Sequence, residues 1–240
     1  MTTQNPIYKP RGPAGEYAEL ALNIYTECPH GCPYCYARMM AKRFGKPWTG
    51  DVRPREGIVE ATRKQLASGK HEDKTIFLCF TCDPYPIGYD TTVTREIISL
   101  IKEAGCHVQI LTKGDRDISR DFDLLDGNDW FGVTYTGSTR YAEAANGSWV
   151  AESGLLFELL EAAREGINTW VSIEPVLNAK RVYNLIETGN YIDHFYIGKL
   201  NYHPSDINWG EFGKKCERLC IQHDRNYIIK EALRKEMEKQ

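Results

Sequence analysis

Short apolar or β-branched runs alternate with longer amphipathic segments along most of the chain. The short runs are typical of buried strands and the longer ones of helices. This pattern predicts strands at residues 17–25, 74–80, 107–112, 130–136, 167–174 and 194–199. Regular alternation of the two kinds of segment indicates βα units around a parallel sheet.

The segments between these runs predict helices at residues 36–44, 56–68, 92–104, 118–125, 152–165 and 179–187. Several of them end near a glycine, as helix capping favours. The last part of the chain predicts a helix at 209–222, a short strand at 227–229 and a charged helix from 231.

These elements predict an α/β fold, a partial (βα)6 TIM-like barrel with a mainly parallel sheet. In this interpretation residues 1–16 are an N-terminal extension, 17–207 form the barrel, and 208–240 complete the domain as a helix, a strand and a helix. Barrels of this kind carry their chemistry at the C-terminal ends of the strands.

Composition narrows the class of protein. A chain of 240 residues with 42% apolar content suits a single domain. Its net charge of −3 gives no general basic field for duplex DNA. The N-terminus lacks an apolar signal core, and no run approaches the roughly 18 apolar residues of a membrane span. We therefore expect a cytoplasmic protein without membrane contact, in which clustered cysteines bind metal or do redox chemistry.

Cys28, Cys32 and Cys35 follow the first predicted strand with C-x3-C-x2-C spacing. Three such thiols can hold three irons of a cubic cluster and leave the fourth iron open. A zinc site is the alternative, with His30 or a distant cysteine as the fourth ligand. Three closely spaced thiols on one loop favour the iron–sulfur cluster.

Polar side chains recur where the other predicted strands end. They are Cys82, Asp83, Lys113, Thr134, Thr136, Glu174, Lys199 and Asn201. Ser172 and Glu174 share one face of their strand by the two-residue period. Inward polar groups are costly unless a ligand or a partner satisfies them, so these positions are candidates for a binding site.

The cysteine motif, with Tyr34 in its aromatic position, resembles the radical S-adenosylmethionine (radical SAM) superfamily. Later segments, at residues 81–85, 111–113, 172–177 and 197–202, look like the branch of spore photoproduct lyase and its uncharacterised, often phage-borne relatives. The resemblance covers roughly residues 18–230.

The resemblance implies a [4Fe–4S] cluster on Cys28, Cys32 and Cys35, with S-adenosylmethionine on the fourth iron. One electron would cleave the cofactor, and the resulting radical would abstract a hydrogen atom from the substrate. It also implies further contacts with the cofactor. Tyr34 would lie near the adenine, and Thr81, Cys82 and Asp83 would stand where many relatives have a Gly-Glu pair that holds the cofactor. The ribose or the methionyl carboxylate would be bound by Lys113, Ser172 and Glu174.

Photoproduct lyase also uses a cysteine near its second strand as a hydrogen-atom donor. The resemblance therefore makes Cys82, which follows the second predicted strand, the candidate catalytic residue. Cys79 is the other thiol nearby, and it fits equally a small buried hydrophobic residue. Strand alternation would place the two thiols on opposite sides if the strand ran through both.

Three functions stay open: a radical enzyme acting on nucleic acid, one acting on a peptide or small metabolite, and a non-enzymatic iron–sulfur sensor. Basic and aromatic residues near the open end suit phosphate contacts and base stacking in single-stranded or damaged nucleic acid. They are Arg38, Lys42, Arg43, Trp48, Arg53, Arg55, Arg116, Arg120, Arg140, Tyr141 and Trp149. The expected redox partner is a reductant such as flavodoxin or ferredoxin. Neither the substrate nor the oligomeric state follows from the sequence.

Overall fold

A computed structural model describes residues 5–114, 118–138 and 152–239, together with the backbone of 142–143 and 149–150. Nine strands are present in this part of the chain: β1 Leu20–Leu22, β2 Thr75–Leu78, β3 His107–Thr112, β4 Trp130–Thr134, β5 Ala142–Glu143, β6 Trp149–Val150, β7 Asn168–Ile173, β8 His194–Ile197 and β9 Tyr227–Ile229. The α-helices are α1 Tyr36–Arg43, α2 Ile58–Leu66, α3 Thr92–Glu103, α4 Glu152–Arg164, α5 Ala179–Thr188, α6 Trp209–Gln222 and α7 Glu231–Glu238.

Seven strands form one curled sheet in the order β1-β2-β3-β4-β7-β8-β9, and all neighbouring strands are parallel. The predicted α/β partial barrel is confirmed. The sheet has one strand more than the six expected, because β9 pairs with β8 in the register Phe195↔Tyr227. β5 and β6 form a separate antiparallel pair. Residues 118–124, predicted as an α-helix, form a 3-10 helix.

The two faces of the sheet have different neighbours. The helix-facing side chains of the strands join one large apolar core with helical residues such as Ile97 and Val182. On the other, inner face, Ala21, Phe77 and Trp170 form a second, aromatic cluster. Alternation along each strand therefore separates the helix-packed side of the barrel from its interior.

Gly132 makes room for the largest side chain of the inner cluster. A Cβ atom at this position would lie 2.3 Å from Nε1 of Trp170. The indole is fully buried and donates from Nε1 to the carbonyl of Ile110 at 3.0 Å. A glycine in β4 thus lets the Trp170 ring cross the neighbouring strand.

The segment before β1 covers the open side of the sheet. Tyr8 exchanges two backbone hydrogen bonds with Ala21, at 2.9 and 2.8 Å. A 3-10 helix at Gly12–Glu16 follows, and Glu16 accepts from the backbone N–H of Glu231 at 2.9 Å. β1 is shorter than predicted because the chain at Tyr17 still lies across the barrel interior, where its ring stacks on Tyr196. In the described part of the chain, no helix is long and apolar enough to cross a bilayer.

Candidate functional site

The three motif cysteines lie on the loop after β1, at the C-terminal edge of the sheet. Cys32 is buried and Cys28 and Cys35 are half-buried, and all three are free thiols. Cys35 is the N-cap residue of α1, and its backbone N–H donates to the carbonyl of Cys32 at 3.1 Å. This turn folds the loop back on itself and keeps the second and third cysteines close together.

The surroundings of Cys28 and Cys32 oppose ionisation of these two thiols unless a cation is present. Burial, followed by the neighbouring Asp83, raises the pKa of Cys28 well above its ordinary value. Burial also raises the pKa of Cys32, while the ammonium of Lys113 acts in the opposite direction. Thiolates are the metal-binding form. Neighbouring thiolates would repel one another, so the loop suits a positively charged centre such as an iron–sulfur cluster, which could bind Cys28, Cys32 and Cys35 in their ionised form.

His30 makes contacts that differ from those expected of a zinc ligand. Its Nε2 accepts from the backbone N–H of Ile87 at 3.2 Å, and its Nδ1 lies 3.6 Å from Oδ2 of Asp83. The imidazole thus joins the cysteine loop to the segment that follows β2. Among the residues that the structure describes, no three His, Cys, Asp or Glu side chains converge as a single metal ion requires.

Asp83 connects the ends of two strands. Its Oδ1 accepts from the N–H of Tyr85 at 2.9 Å and from the hydroxyl of Thr112 at 2.6 Å, and its Oδ2 accepts from the N–H of Lys113 at 2.9 Å. The residue is only 6% exposed. Its carboxylate therefore fixes the loops after β2 and β3 against His30, and its contact with a cofactor remains a prediction.

Lys113 lies on the inner side of the barrel, beyond the end of β3. Its Nζ donates to Oγ1 of Thr134 at 3.1 Å, and its charge is close enough to oppose part of the rise that burial causes in the pKa of Cys32. A lysine beside the cysteine loop is well placed to bind a carboxylate. The predicted proximity of these strand ends is therefore present in the structure, and the carboxylate contact itself stays a prediction.

Cys79 and Cys82 do not follow strand alternation. β2 ends at Leu78, and Cys79 has a left-handed backbone with φ of 71°. Its buried Sγ accepts from the N–H of Ile24 at 3.5 Å. Burial and then a hydrogen bond with Cys82 raise the pKa of Cys79. The strand stops before the first thiol, so the condition for placing the two thiols on opposite sides is not met. Cys82 is the more exposed of the two.

Ser172 and Glu174 share the inner face, as predicted, but their contacts are with the two ends of the chain. The Tyr17 hydroxyl lies 2.8 Å from Oγ of Ser172 and donates to Oε2 of Glu174 at 3.1 Å. Lys230 donates to the same Oε2 at 2.6 Å, and Asn201 donates to Oε1 at 2.8 Å. A ligand at Glu174 would share the carboxylate with these three donors.

Tyr17 and Lys230 were missed by the sequence reasoning. The ammonium of Lys230 is 2% exposed as a side chain and lies 3.9 Å from the ring centroid of Tyr17. Gly198 leaves space for Glu174, since a Cβ there would lie 2.8 Å from the carboxyl carbon. Lys230 directly follows β9, so the rule that chemistry lies at strand ends could have found it. Tyr17 precedes its strand, and only the curl of the sheet brings it here.

Two buried polar groups lie near the cysteine loop: the hydroxyl of Tyr34, beside Cys32, and the carboxyl group of Glu152, whose Oε2 has no hydrogen-bond partner among the described residues. Burial raises the pKa of both groups, and Cys32 is the largest charged contributor at Tyr34. The other oxygen of Glu152 accepts from the N–H and the hydroxyl of Thr136, at 2.6 and 2.5 Å. Glu152 was also missed, because its position at the start of α4 looks like an ordinary helix-capping acid.

The structure describes some of the basic residues of the open end. Arg38, Lys42 and Arg43 are exposed on α1, together with the apolar side chains of Tyr36 and Met40. The side chains of Arg116, Arg140, Tyr141 and Trp149 lie outside the described residues.

No protein-family model matches the chain. An uncharacterised protein of Methanocaldococcus jannaschii is 34% identical over 128 residues, which cover 52% of this chain and 45% of the relative. An uncharacterised protein of Acidianus two-tailed virus is 31% identical over 116 residues, covering 44% of this chain and 37% of the relative. The match thus spans less than half the length of either relative.

Solved structures show the fold. Spore photoproduct lyase complexed with dinucleoside spore photoproduct has a TM-score of 0.67 at 14% identity, covering 91% of this chain and 78% of the enzyme. SuiB of Streptococcus suis bound to S-adenosylmethionine has a TM-score of 0.60 at 9% identity, covering 86% and 45%. The resemblance to radical SAM enzymes, including spore photoproduct lyase, is thereby confirmed at the level of the fold.

Proposed function

We propose that the chain is a radical SAM enzyme. The observation that carries this proposal is the position of Cys28, Cys32 and Cys35 on one folded loop at the end of β1, in a barrel with the fold of spore photoproduct lyase. The three thiols hold a [4Fe–4S] cluster. When bound, the cluster and S-adenosylmethionine supply reductive cleavage of the cofactor and hydrogen-atom abstraction from a substrate.

The residues around the loop hold the cofactor and exclude water. Lys113 binds the methionyl carboxylate, since its ammonium lies on the inner side beside Cys32. Asp83 fixes the loop that carries Thr81 and Cys82. The buried hydroxyl of Tyr34 meets the cofactor at its adenine end.

Ser172 and Glu174, at the C-terminal end of β7, contact the ribose. Tyr17 and Lys230 fix the carboxylate of Glu174 there. Cys82 is the hydrogen-atom donor that quenches a substrate radical. Its partial exposure supports this role, and the buried Cys79 lies behind it.

The proposed substrate is single-stranded or damaged nucleic acid, with repair or base modification as the outcome. The fold shared with a lyase solved with dinucleoside spore photoproduct and the basic surface of α1 support this class. Flavodoxin or ferredoxin is the proposed reductant, and the cytoplasm is the proposed compartment because an iron–sulfur centre needs reducing surroundings. Radical modification of a peptide is the second candidate, since SuiB bound to its precursor peptide SuiA has a TM-score of 0.62 to this chain.

Anaerobic reconstitution with iron and sulfide tests the activity. Reduced protein should convert S-adenosylmethionine to 5′-deoxyadenosine, and Cys32→Ala should abolish both the cluster absorbance and this product. Cys106→Ala is the matched control. Cys106 directly precedes β3, at the end of the barrel away from the cysteine loop, and its buried thiol donates to the carbonyl of His71. A cluster that forms without any cofactor cleavage would favour the sensor instead.

A further inference from the structure

Arg55 lies between the ends of the first two strands, at the mouth of the barrel. Its backbone N–H donates to the carbonyl of Ile24 at 2.9 Å, directly after β1. Its Nη2 lies 3.5 Å from Oγ1 of Thr81, which follows β2. The half-buried guanidinium is therefore held beside the residues proposed to contact the cofactor and substrate.

The guanidinium has fewer partners than its burial requires. Its Nε is buried and has no hydrogen-bond partner among the described residues. None of the ion pairs formed within the described ranges involves Arg55, whereas Arg53, two positions earlier, lies 3.5 Å from Asp51. A buried N–H without an acceptor carries a free-energy cost, which is larger when the group is charged. An oxyanion bound to the guanidinium fork would remove this cost.

Two hydroxyl groups stand beside this cation. Asn23 donates from its side-chain amide to Oη of Tyr8 at 2.8 Å and accepts the N–H of Thr81 at 2.9 Å. Since Tyr8 is the acceptor in its bond with Asn23, its own O–H can be donated elsewhere. Burial raises the pKa of Tyr8, so the hydroxyl stays protonated. Arg55, Tyr8 and Thr81 together present a cation and two hydroxyls, and all of these groups can donate hydrogen bonds.

We propose that Arg55, with the hydroxyls of Tyr8 and Thr81, binds a phosphate group of a single-stranded nucleic-acid substrate. This inference rests on the proposed function and identifies where such a substrate is held. Cys82 lies in the same neighbourhood, since it contributes to the raised pKa of Tyr8. A phosphate anchored here holds the attached nucleoside within reach of the proposed hydrogen-atom donor.

A phosphate of the substrate fits this site better than the cofactor carboxylate. Lys113 and Thr134, on β3 and β4, offer the carboxylate a separate cationic position beside Cys32. Arg55 is instead bonded to the chain directly after β1, the edge strand of the sheet, which is two strands away from β3. The planar fork of arginine also matches two oxygens of a phosphate.

Fluorescence anisotropy with a labelled single-stranded decathymidylate tests the proposal on the full reconstituted chain, over a series of KCl concentrations. Arg55→Gln should weaken binding about tenfold, which corresponds to 1.4 kcal/mol. It should also reduce the slope of log K against log salt by about 0.7, as loss of one phosphate contact predicts for a single strand. Arg55→Lys keeps the charge and should retain the salt slope while losing part of the affinity.

Arg63→Gln is the matched control, because it removes the same charge from a side chain that is 51% exposed and already paired with Glu60 and Glu96. Equal losses in the Arg63 and Arg55 variants would show a diffuse surface charge and overturn the proposal. So would a wild-type chain that does not bind the oligonucleotide.

Calorimetric titration with S-adenosylmethionine distinguishes the remaining source of an oxyanion. Arg55→Gln should leave this affinity unchanged, and a selective loss here would assign the site to the cofactor carboxylate and overturn the proposal. Formation of 5′-deoxyadenosine by the wild type reports separately on the proposed function, so the two failures are distinguishable.

Discussion

Breaking the buried pair of Lys230 and Glu174 should be strongly destabilising, because it leaves a buried carboxylate without its cation. Nζ of Lys230 lies 2.6 Å from Oε2 of Glu174, and the two side chains are 2% and 18% exposed. Lys230→Met leaves this carboxylate with only its neutral donors, Tyr17 and Asn201. Removing one partner of a buried ion pair costs 3–5 kcal/mol. We expect the lower end, about 3 kcal/mol, because those two donors remain.

Urea unfolding followed by circular dichroism measures this loss. With a slope of about 3 kcal/mol per molar urea, the midpoint should fall by about 1 M. The double variant Lys230→Met/Glu174→Gln should be less destabilised than the sum of the two single variants, because the unpaired charge is then absent.

Lys9→Met is the control, since Lys9 and Glu19 form a 3.4 Å pair with side chains 75% and 65% exposed. Such exposed pairs contribute little, so the midpoint should hardly move. Equal midpoints for the Lys230 and Lys9 variants would refute the reasoning, as would strict additivity in the double variant.

Three other outcomes are expected. Gly132→Ala places a methyl group against the buried indole and should cost about 1–3 kcal/mol by urea unfolding, whereas Gly154→Ala, with no atom within 4 Å, should be neutral or slightly stabilising. Burial raises the pKa of Glu152, so the native state binds its proton more tightly than the unfolded chain and stability is lost as pH rises through that raised pKa. Glu152→Gln should therefore gain stability relative to the wild type as pH rises above the ordinary pKa of a glutamate, and a difference independent of pH would contradict this. Cys82→Ala should still release 5′-deoxyadenosine but should no longer form the product that arises when the donor quenches the substrate radical. Cys79→Ala should form both, and loss of that product in the Cys79 variant alone would reverse the assignment.

The local pattern predicted most of the strands and helices, although not β5 and β6 or the 3-10 form of residues 118–124. The bounds of β3 and α6 match the predicted 107–112 and 209–222, because their apolar periods are bordered by clear stop signals. β9 was predicted as a strand, but its place as the seventh strand of the sheet was not. Pairing depends on which edge the chain reaches after α6, and no local period encodes that choice.

The cysteine motif determined the candidate chemistry by itself, because Cys28, Cys32 and Cys35 are close in sequence and a short loop keeps them close in space. Contacts between distant residues depended on the curl of the sheet. It brings Tyr17 to Glu174 across 157 positions and Lys230 across 56. The sequence could name residues at strand ends, but which of them meet is decided by packing between distant segments, such as the space that Gly132 leaves for Trp170 in the inner aromatic cluster.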